Sequence, residues 1–486
     1  MGRIAAFCLT IFLIVSRAVG YAEVTLPKIL GNGMVLQREK VCPIWGTAAV
    51  GEKVTVKFSK QTKTTIADAS GKWEVILNPM SASAEPTDLT VSGINTIVLH
   101  DILVGEVWIC SGQSNMAYEM RKNSKVAKPD TSTANSPVDE LEHAHNPNIR
   151  IFSVTQKNLT TDANPNHNGW SVAEDSALRA FSAAGYFFAK KLNQELHIPI
   201  GIISSAISGS RIEPWMPETA FETSAYFKTQ GDSAKAGGDH GKFYHRMIEP
   251  LAPLAIRGFL WYQGEANVTE TISYTHKMQL LINSWRVLWA DESLPFYYTQ
   301  IVPYYYTKMK TTAVITPETE PAFWEAQTMA LNIPHTGMIQ TTDLNDDVKN
   351  LHPPFKWEIG RRLALVALAK TYGEKDLVYS GPVYQSMKIR GNKIILNFKF
   401  TGNGLESHNG KPLNYFTIAG TDGNFVAADA KIEGNKIIVS SPTIKSPTAV
   451  RFGWQEDAQP NLFNKNGLPA MPFRTDNPLK FDPANN

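Results

Sequence analysis

Cysteine is nearly absent: three in 486 residues, Cys8, Cys42 and Cys110. That excludes a disulfide-stapled scaffold and any zinc site built mainly from thiolates. An excess of either charge is lacking too. Lys plus Arg number 47 against 45 Asp plus Glu, a formal +2 at pH 7. So balanced a chain has no electrostatic reason to take nucleic acid or an anionic membrane as its partner. Beyond residue 22 no apolar run approaches the roughly 20 residues that span a bilayer, and no fixed-period repeat is visible. What is present is length and core-forming sequence. Residues are 43% hydrophobic and 19% charged, enough for about two to four domains with substantial cores. Aromatics reach 10%, with 11 Trp. Tryptophan stacks on sugars in some clefts but more often fills cores.

The first 22 residues form a pattern of their own. Arg3 precedes an apolar run from Ile4 to Val15, and Ala18-Val19-Gly20 and Gly20-Tyr21-Ala22 follow, each small at the two positions a signal peptidase reads. This predicts a secretory signal peptide over residues 1–22, cleaved after Gly20 or Ala22. The run is too short for a membrane anchor. Its removal takes Arg3 and Arg17 and no acid, which brings the formal charge from +2 to zero. The expected mature protein is secreted or periplasmic, has no membrane association and keeps two cysteines. Cys42 and Cys110 either pair after export or stay thiols, and for Cys110 a plain buried strand residue is the favoured reading.

Three regions follow. Residues 23–100 carry short alternating segments, such as Val54–Phe58 and Trp73–Leu77, with Gly, Asn and Pro between them. This predicts an N-terminal β-sandwich. Residues 101–375 alternate strands with helices. Strands are expected at 104–109, 198–205, 256–262, 296–302 and 337–342. Helices are expected over 181–196, 278–288 and 357–371. The alternation predicts an α/β domain, a doubly wound parallel sheet that binds ligands beyond the carboxyl ends of its strands. Residues 128–148 and 303–321, rich in turn formers, read as long surface loops. Residues 376–486 return to a β pattern and predict a second sandwich-like region. Sequons stand at Asn158-Leu-Thr160 and Asn267-Val-Thr269.

Four strand ends carry groups suited to chemistry. Gly112-Gln113-Ser114-Asn115-Met116 follows the strand ending at Cys110. A serine on a sharp strand-to-helix turn exposes its hydroxyl and frees its own N–H for an oxyanion, although a helix N-cap serine is the commoner meaning. Gly209, in the small-residue loop after the strand 198–205, offers a backbone N–H or is simply a tight turn. Arg211, Glu213 and Trp215 follow it; Trp215 either stacks on a sugar or covers a sheet edge. Gln263 and Glu265 close the third strand, as an amide donor and an orienting carboxylate or as a structural network. His352 lies in a loop before a helix, placed as a general base or as an ordinary loop histidine. Asp343, Asp346 and Asp347 lie just upstream, any of them able to orient an imidazole. Each signal is weak alone, but together they supply a nucleophile, oxyanion donors and a base for acyl transfer.

The chain resembles the sialate O-acetylesterase family of SGNH-type hydrolases. The resemblance is carried by Asn32–Gln37, Pro43–Gly46, Gly51–Val56, Gly105–Met116, Trp261-Tyr-Gln-Gly-Glu265, His352–Lys356 with Gly360–Leu363, and Asn461–Ala470. It implies an SGNH-hydrolase-like fold and an esterase that removes acetyl groups from an O-acetylated sugar or glycan, above all sialic acids, with acetylxylan-type substrates as the alternative. It also implies Ser114 as nucleophile and His352 as base, with Ser114, Gly209 and Gln263 as oxyanion donors. Arg211, Trp215 and Glu265 are the expected substrate-binding residues, with Arg257 a further candidate to hold a sialate. No metal and no cofactor are implied. SGNH-type hydrolases often place an Asp two or three residues before the histidine, where this chain has Asn350 and Lys349. Asp347 is the expected substitute. A decayed, non-catalytic carbohydrate-binding protein is the remaining alternative.

Overall fold

The structure is a computed structural model that describes residues 23–123, 140–154, 169–231 and 237–485. The expected signal peptide, Cys8, most of the loop 128–148 and the Asn158 sequon lie outside the described residues.

Residues 23–95 form two antiparallel arrays. Cys42–Thr47 pairs with Lys72–Leu77, and Lys53–Phe58 pairs with both Gln61–Ile66 and Ser83–Ser92. The last array continues into β1, Thr96–Gly112, a strand of 17 residues. Its first part pairs with Ser83–Ser92 and with Val35–Gln37. Its second part becomes the middle of the central sheet. The boundary expected at residue 100 therefore lies inside one continuous strand.

The central sheet adds β2 (Ile149–Ser153), β3 (Ile200–Ala206), β4 (Gly258–Tyr262), β5 (Phe296–Thr299) and β6 (Thr336–Ile339). Their order is β6-β5-β4-β1-β3-β2, with Ser171–Val172 antiparallel on the β2 edge. Every other neighbouring pair in that order is parallel. Four long helices accompany it: α1 (Ala183–Leu196), α2 (Ile272–Leu288), α3 (Thr319–Met329) and α4 (Lys356–Lys370). The alternation along β1 decides which helix covers which face. Trp108 and Cys110 share a core with Phe188 and Leu192 of α1 and Leu363 and Ala367 of α4. Val107 and Ile109 share the other with Met278 and Trp285 of α2 and Phe323 of α3. Residues apolar on both faces belong to a parallel sheet covered on both sides. Close packing of α1 on α4 depends on Gly360, where a Cβ would stand 2.6 Å from the Phe188 backbone nitrogen.

Chain order places β3 and β2 on one side of β1 and β4 to β6 on the other. The chain reverses its direction of travel at β1, and ligands bind at such a switch point in open α/β sheets. Ser114 follows immediately.

Two expectations are corrected. The segment 303–321 does not remain a loop to its end, because α3 begins at Thr319 with Pro321 in its first turn, where the missing N–H costs nothing. The strand β2 was not foreseen. Its Arg150 is buried but ion-paired with Asp101 at 2.6 Å, so a charge interrupts an otherwise apolar run.

Past α4, two four-stranded antiparallel sheets share one core. Ile394, Leu396, Ile437 and Val439 come from one, and Phe416, Ile418, Val450 and Phe452 from the other. This region is tied to the loops of the central domain by Glu456 on the Thr307 amide at 2.9 Å and by Gln459 on the Asn345 carbonyl. Cys42 and Cys110 are both free and buried. Burial pushes the Cys110 thiol up to about 12, which leaves it inert.

Candidate active site

Ser114 lies two residues past the end of β1, on a turn that only glycine permits. Gly112 has φ +134°, and a Cβ there would stand 2.1 Å from the Tyr262 carbonyl oxygen of β4. That approach brings the ends of β1 and β4 together, and the Gln113 amide donates to the same carbonyl at 2.9 Å. The neighbouring turn after β3 is held by the Ile207 amide on the Gly112 carbonyl at 3.0 Å. Three strand ends thus converge on one serine.

The structure brings Ser114 and His352 together: Nε2 of the imidazole lies 2.8 Å from Oγ. Both residues are half-buried. The His352 amide donates to Asn350 Oδ1 at 2.9 Å, so Asn350 shapes the loop rather than facing the ring. Burial first, then the charges of Lys356 and Lys122, hold the imidazole below its ordinary value. A histidine that is neutral at neutral pH is in the form a general base requires. No described hydrogen bond occupies the Ser114 or Gly209 amides. Gly209 has φ +73° at the exposed tip of its loop.

Several expected roles are not what the structure places there. Asp347 is exposed and its carboxylate accepts from the Lys349 amide at 3.0 Å, not from His352. Asp343 is held by Arg362 at 2.6 Å. Among the described residues no carboxylate reaches the imidazole. Asp347→Asn is accordingly expected to leave kcat on a chromogenic acetate within about twofold; a fall of 100-fold would return Asp347 to the site. Gln263 is fully buried and its amide protons go to Asn267 Oδ1 at 2.8 Å and the Ser210 carbonyl at 3.2 Å, which leaves none for an oxyanion. Trp215 is also fully buried, donating to Ser210 Oγ at 3.0 Å, and so cannot stack on a sugar. Arg257 pairs with Glu106 at 2.6 Å, at the far end of the strands from Ser114. Arg211 is part-exposed, yet its guanidinium is already bound to the Ala266 carbonyl, Glu213 and Glu270. Asn267 is fully buried with its amide on Glu213 and Glu270, so that sequon is closed to a glycan in the folded chain.

Glu265 has a different task from touching substrate. It is buried and accepts from Asn115 Nδ2, which also donates to the Leu351 carbonyl at 3.1 Å. The Asn115 oxygen in turn accepts from Lys356 Nζ at 2.8 Å, and the same ammonium donates to the Pro353 carbonyl. Lys356 is fully buried, with its nitrogen 4.6 Å from the Tyr118 ring centroid and 5.6 Å from that of Tyr262. Burial pushes it down to about 7, and burial pushes the Glu265 carboxyl up. One short chain of hydrogen bonds, Glu265–Asn115–Lys356, therefore links the serine turn to the carbonyls on both sides of His352. Sequence reasoning gave Asn115 and Lys356 no role. The available signals were an asparagine directly after the serine and a lysine four residues past the histidine.

Residues 104–369 match the family described as carbohydrate esterase, sialic acid-specific acetylesterase. The chain belongs to that family. The esterase is 28% identical over 416 residues to sialate O-acetylesterase of Homo sapiens, covering 76% of this chain and 75% of that one. It is 27% identical over 464 residues to the enzyme of the same name from Mus musculus, covering 82% and 83%. Among solved structures, a carbohydrate acetylesterase from Xanthomonas citri superposes with a TM-score of 0.81 at 33% identity, covering 93% of this chain and all of that one. The β-rich flanks are thus shared with a solved acetylesterase, and the decayed binding protein gives way to a carboxylic ester hydrolase acting on carbohydrates.

Proposed function

We propose that this chain is an exported SGNH-type serine esterase that removes O-acetyl groups from carbohydrates, above all from O-acetylated sialic acids. The observation that carries the mechanism is the 2.8 Å contact between Ser114 Oγ and His352 Nε2 at the switch point of the sheet. His352 takes the hydroxyl proton as Oγ attacks the acetyl carbonyl. The amides of Ser114 and Gly209 receive the oxyanion. The imidazolium then protonates the departing sugar oxygen, leaving acetyl-Ser114. A water deprotonated by His352 releases acetate, and Ser114 recovers its proton. With Gln263 engaged elsewhere, two backbone donors carry the charge. Export rests on the pattern of residues 1–22 and on the free, inert thiols tolerating any compartment.

Acetate release from O-acetylated sialosides and from acetylxylan, measured side by side, tests the substrate. Sialosides are expected to be cleaved with the higher kcat/KM. Faster release from acetylxylan would move the substrate to plant polysaccharide, and no release from either would end the proposal. A mature protein whose mass still includes residues 1–22 would end the export part alone.

A further inference from the structure

The loop that carries His352 has a second side. Its residues Asp346 and Phe355 face His408, Asn409, Gln459 and Phe463 of the C-terminal β region across a cavity of about 330 Å³. We propose that this cavity is a subsite for a neutral sugar, the unit of the glycan next to the one that carries the acetyl ester. The inference rests on the esterase reading above and assigns the C-terminal region a part in recognising substrate.

The lining suits a pyranose. One aromatic face is available, that of the part-exposed His408 ring, which is stacked flat on the buried Phe463 with centroids 4.3 Å apart at 19°. A flat apolar face of this kind takes the C–H face of a sugar ring. Polar groups accompany it. The exposed Asp346 carboxylate accepts no described hydrogen bond, and the Asn409 side-chain amide donates none. Together they offer an acceptor and donors to hydroxyl groups. Asn345, on the same lining, has a buried Oδ1 with no partner among the described residues, although buried polar atoms are nearly always paired. Among the described residues no Lys or Arg lines the cavity, and of its two acids Asp343 is neutralised by Arg362 while Asp346 is exposed and in no ion pair. A carboxylate-bearing sugar would be repelled there, which selects a neutral unit.

The cavity also communicates with the catalytic loop. Gln459 donates to the Asn345 carbonyl. The Asn345 amide donates to the Asn350 carbonyl at 3.1 Å, and Asn350 Oδ1 accepts from the His352 amide. A sugar bridging the two walls would therefore hold the histidine loop against the C-terminal region.

His408→Ala and Asp346→Ala test this, since neither residue takes part in the ester chemistry. O-acetylated sialyllactose presents a neutral disaccharide beside the acetylated sugar, and free O-acetylated sialic acid does not. The wild type is expected to show a KM about tenfold lower for the trisaccharide. Both variants are expected to erase that difference, with turnover of 4-nitrophenyl acetate unchanged. Equal KM values in the wild type, or equal losses on all three substrates in the variants, would overturn the subsite. Titration of lactose into the Ser114→Ala protein reads the cavity without any reaction, so it stands apart from a failure of the esterase reading. Binding that His408→Ala abolishes supports the subsite, and no binding overturns it.

Discussion

Ser114→Ala is expected to lower kcat on a chromogenic acetate ester by about 10⁴- to 10⁶-fold, while the protein stays folded within about 0.5 kcal/mol. The side chain is half-buried and, among the described residues, its hydroxyl bonds only to His352, so its loss opens no cavity and strands no polar atom of the core. What disappears is the covalent route. The amides of Ser114 and Gly209 remain to polarise an ester carbonyl for water, which sets a residual rate above background. His352→Ala should fall into the same range, and the double variant should be little worse than either, because nucleophile and base act as one unit. Circular dichroism and thermal unfolding check the fold, and acetate release checks the chemistry. Turnover within tenfold of wild type in Ser114→Ala would show that another group attacks the ester.

The pairing of Ser114 with His352 was approachable from the chain alone because it depends on topology. A serine and a histidine that each follow a strand of a doubly wound sheet are carried to the same edge, whatever fills the rest of the domain. The long helices were legible for a related reason. A face such as Phe181, Gly185, Phe188, Leu192 and Leu196 repeats at the helical period, and α1 covers most of it. The beginning of α3 was hidden by Pro321, which reads as a breaker unless it is known to occupy a first turn.

The direction of a side chain at a strand end was not legible. Gln263 and Trp215 are residue types that serve active sites, and both lie near this one. Each is instead turned into a buried network, Gln263 toward Asn267 and Tyr274 and Trp215 toward Ser210. Nothing in the local sequence distinguishes the two outcomes, since the deciding partners come from other elements. The acid partner of His352 failed differently. The carboxylates upstream of residue 350 are turned elsewhere, Asp347 to the Lys349 amide and Asp343 to Arg362, and among the described residues the structure places none against the ring. It places a cation behind the serine instead.

That cation leads to the second large effect. Lys356→Met is expected to lower kcat by about 10- to 100-fold. The lysine joins Asn115, beside the nucleophile, to the Pro353 carbonyl, beside the base. Without it the two loops lose their common anchor, and misplacement of reacting groups by about 1 Å costs on the order of 100-fold. A purely structural weakening would leave the pH profile alone, so the profile discriminates. Burial and the Lys356 charge hold His352 below its ordinary value, and the acid limb of kcat/KM in the wild type should lie below pH 6.5. Lys356, near 7, is protonated over that limb. Removing its charge lets the imidazole hold its proton more easily, so the limb moves to higher pH. Stability should shift as well. The lysine is a weaker base in the folded protein than its ordinary 10.5, so the unfolded chain binds more protons between about 7 and 10.5. The wild type therefore gains stability as pH rises through that window, and Lys356→Met loses that gain. Urea unfolding of both proteins at pH 7 and pH 9.5, with pH–rate profiles from 4.5 to 8, measures the two slopes. An unmoved acid limb with kcat within twofold of wild type would show that the lysine neither anchors the loops nor acts on the histidine.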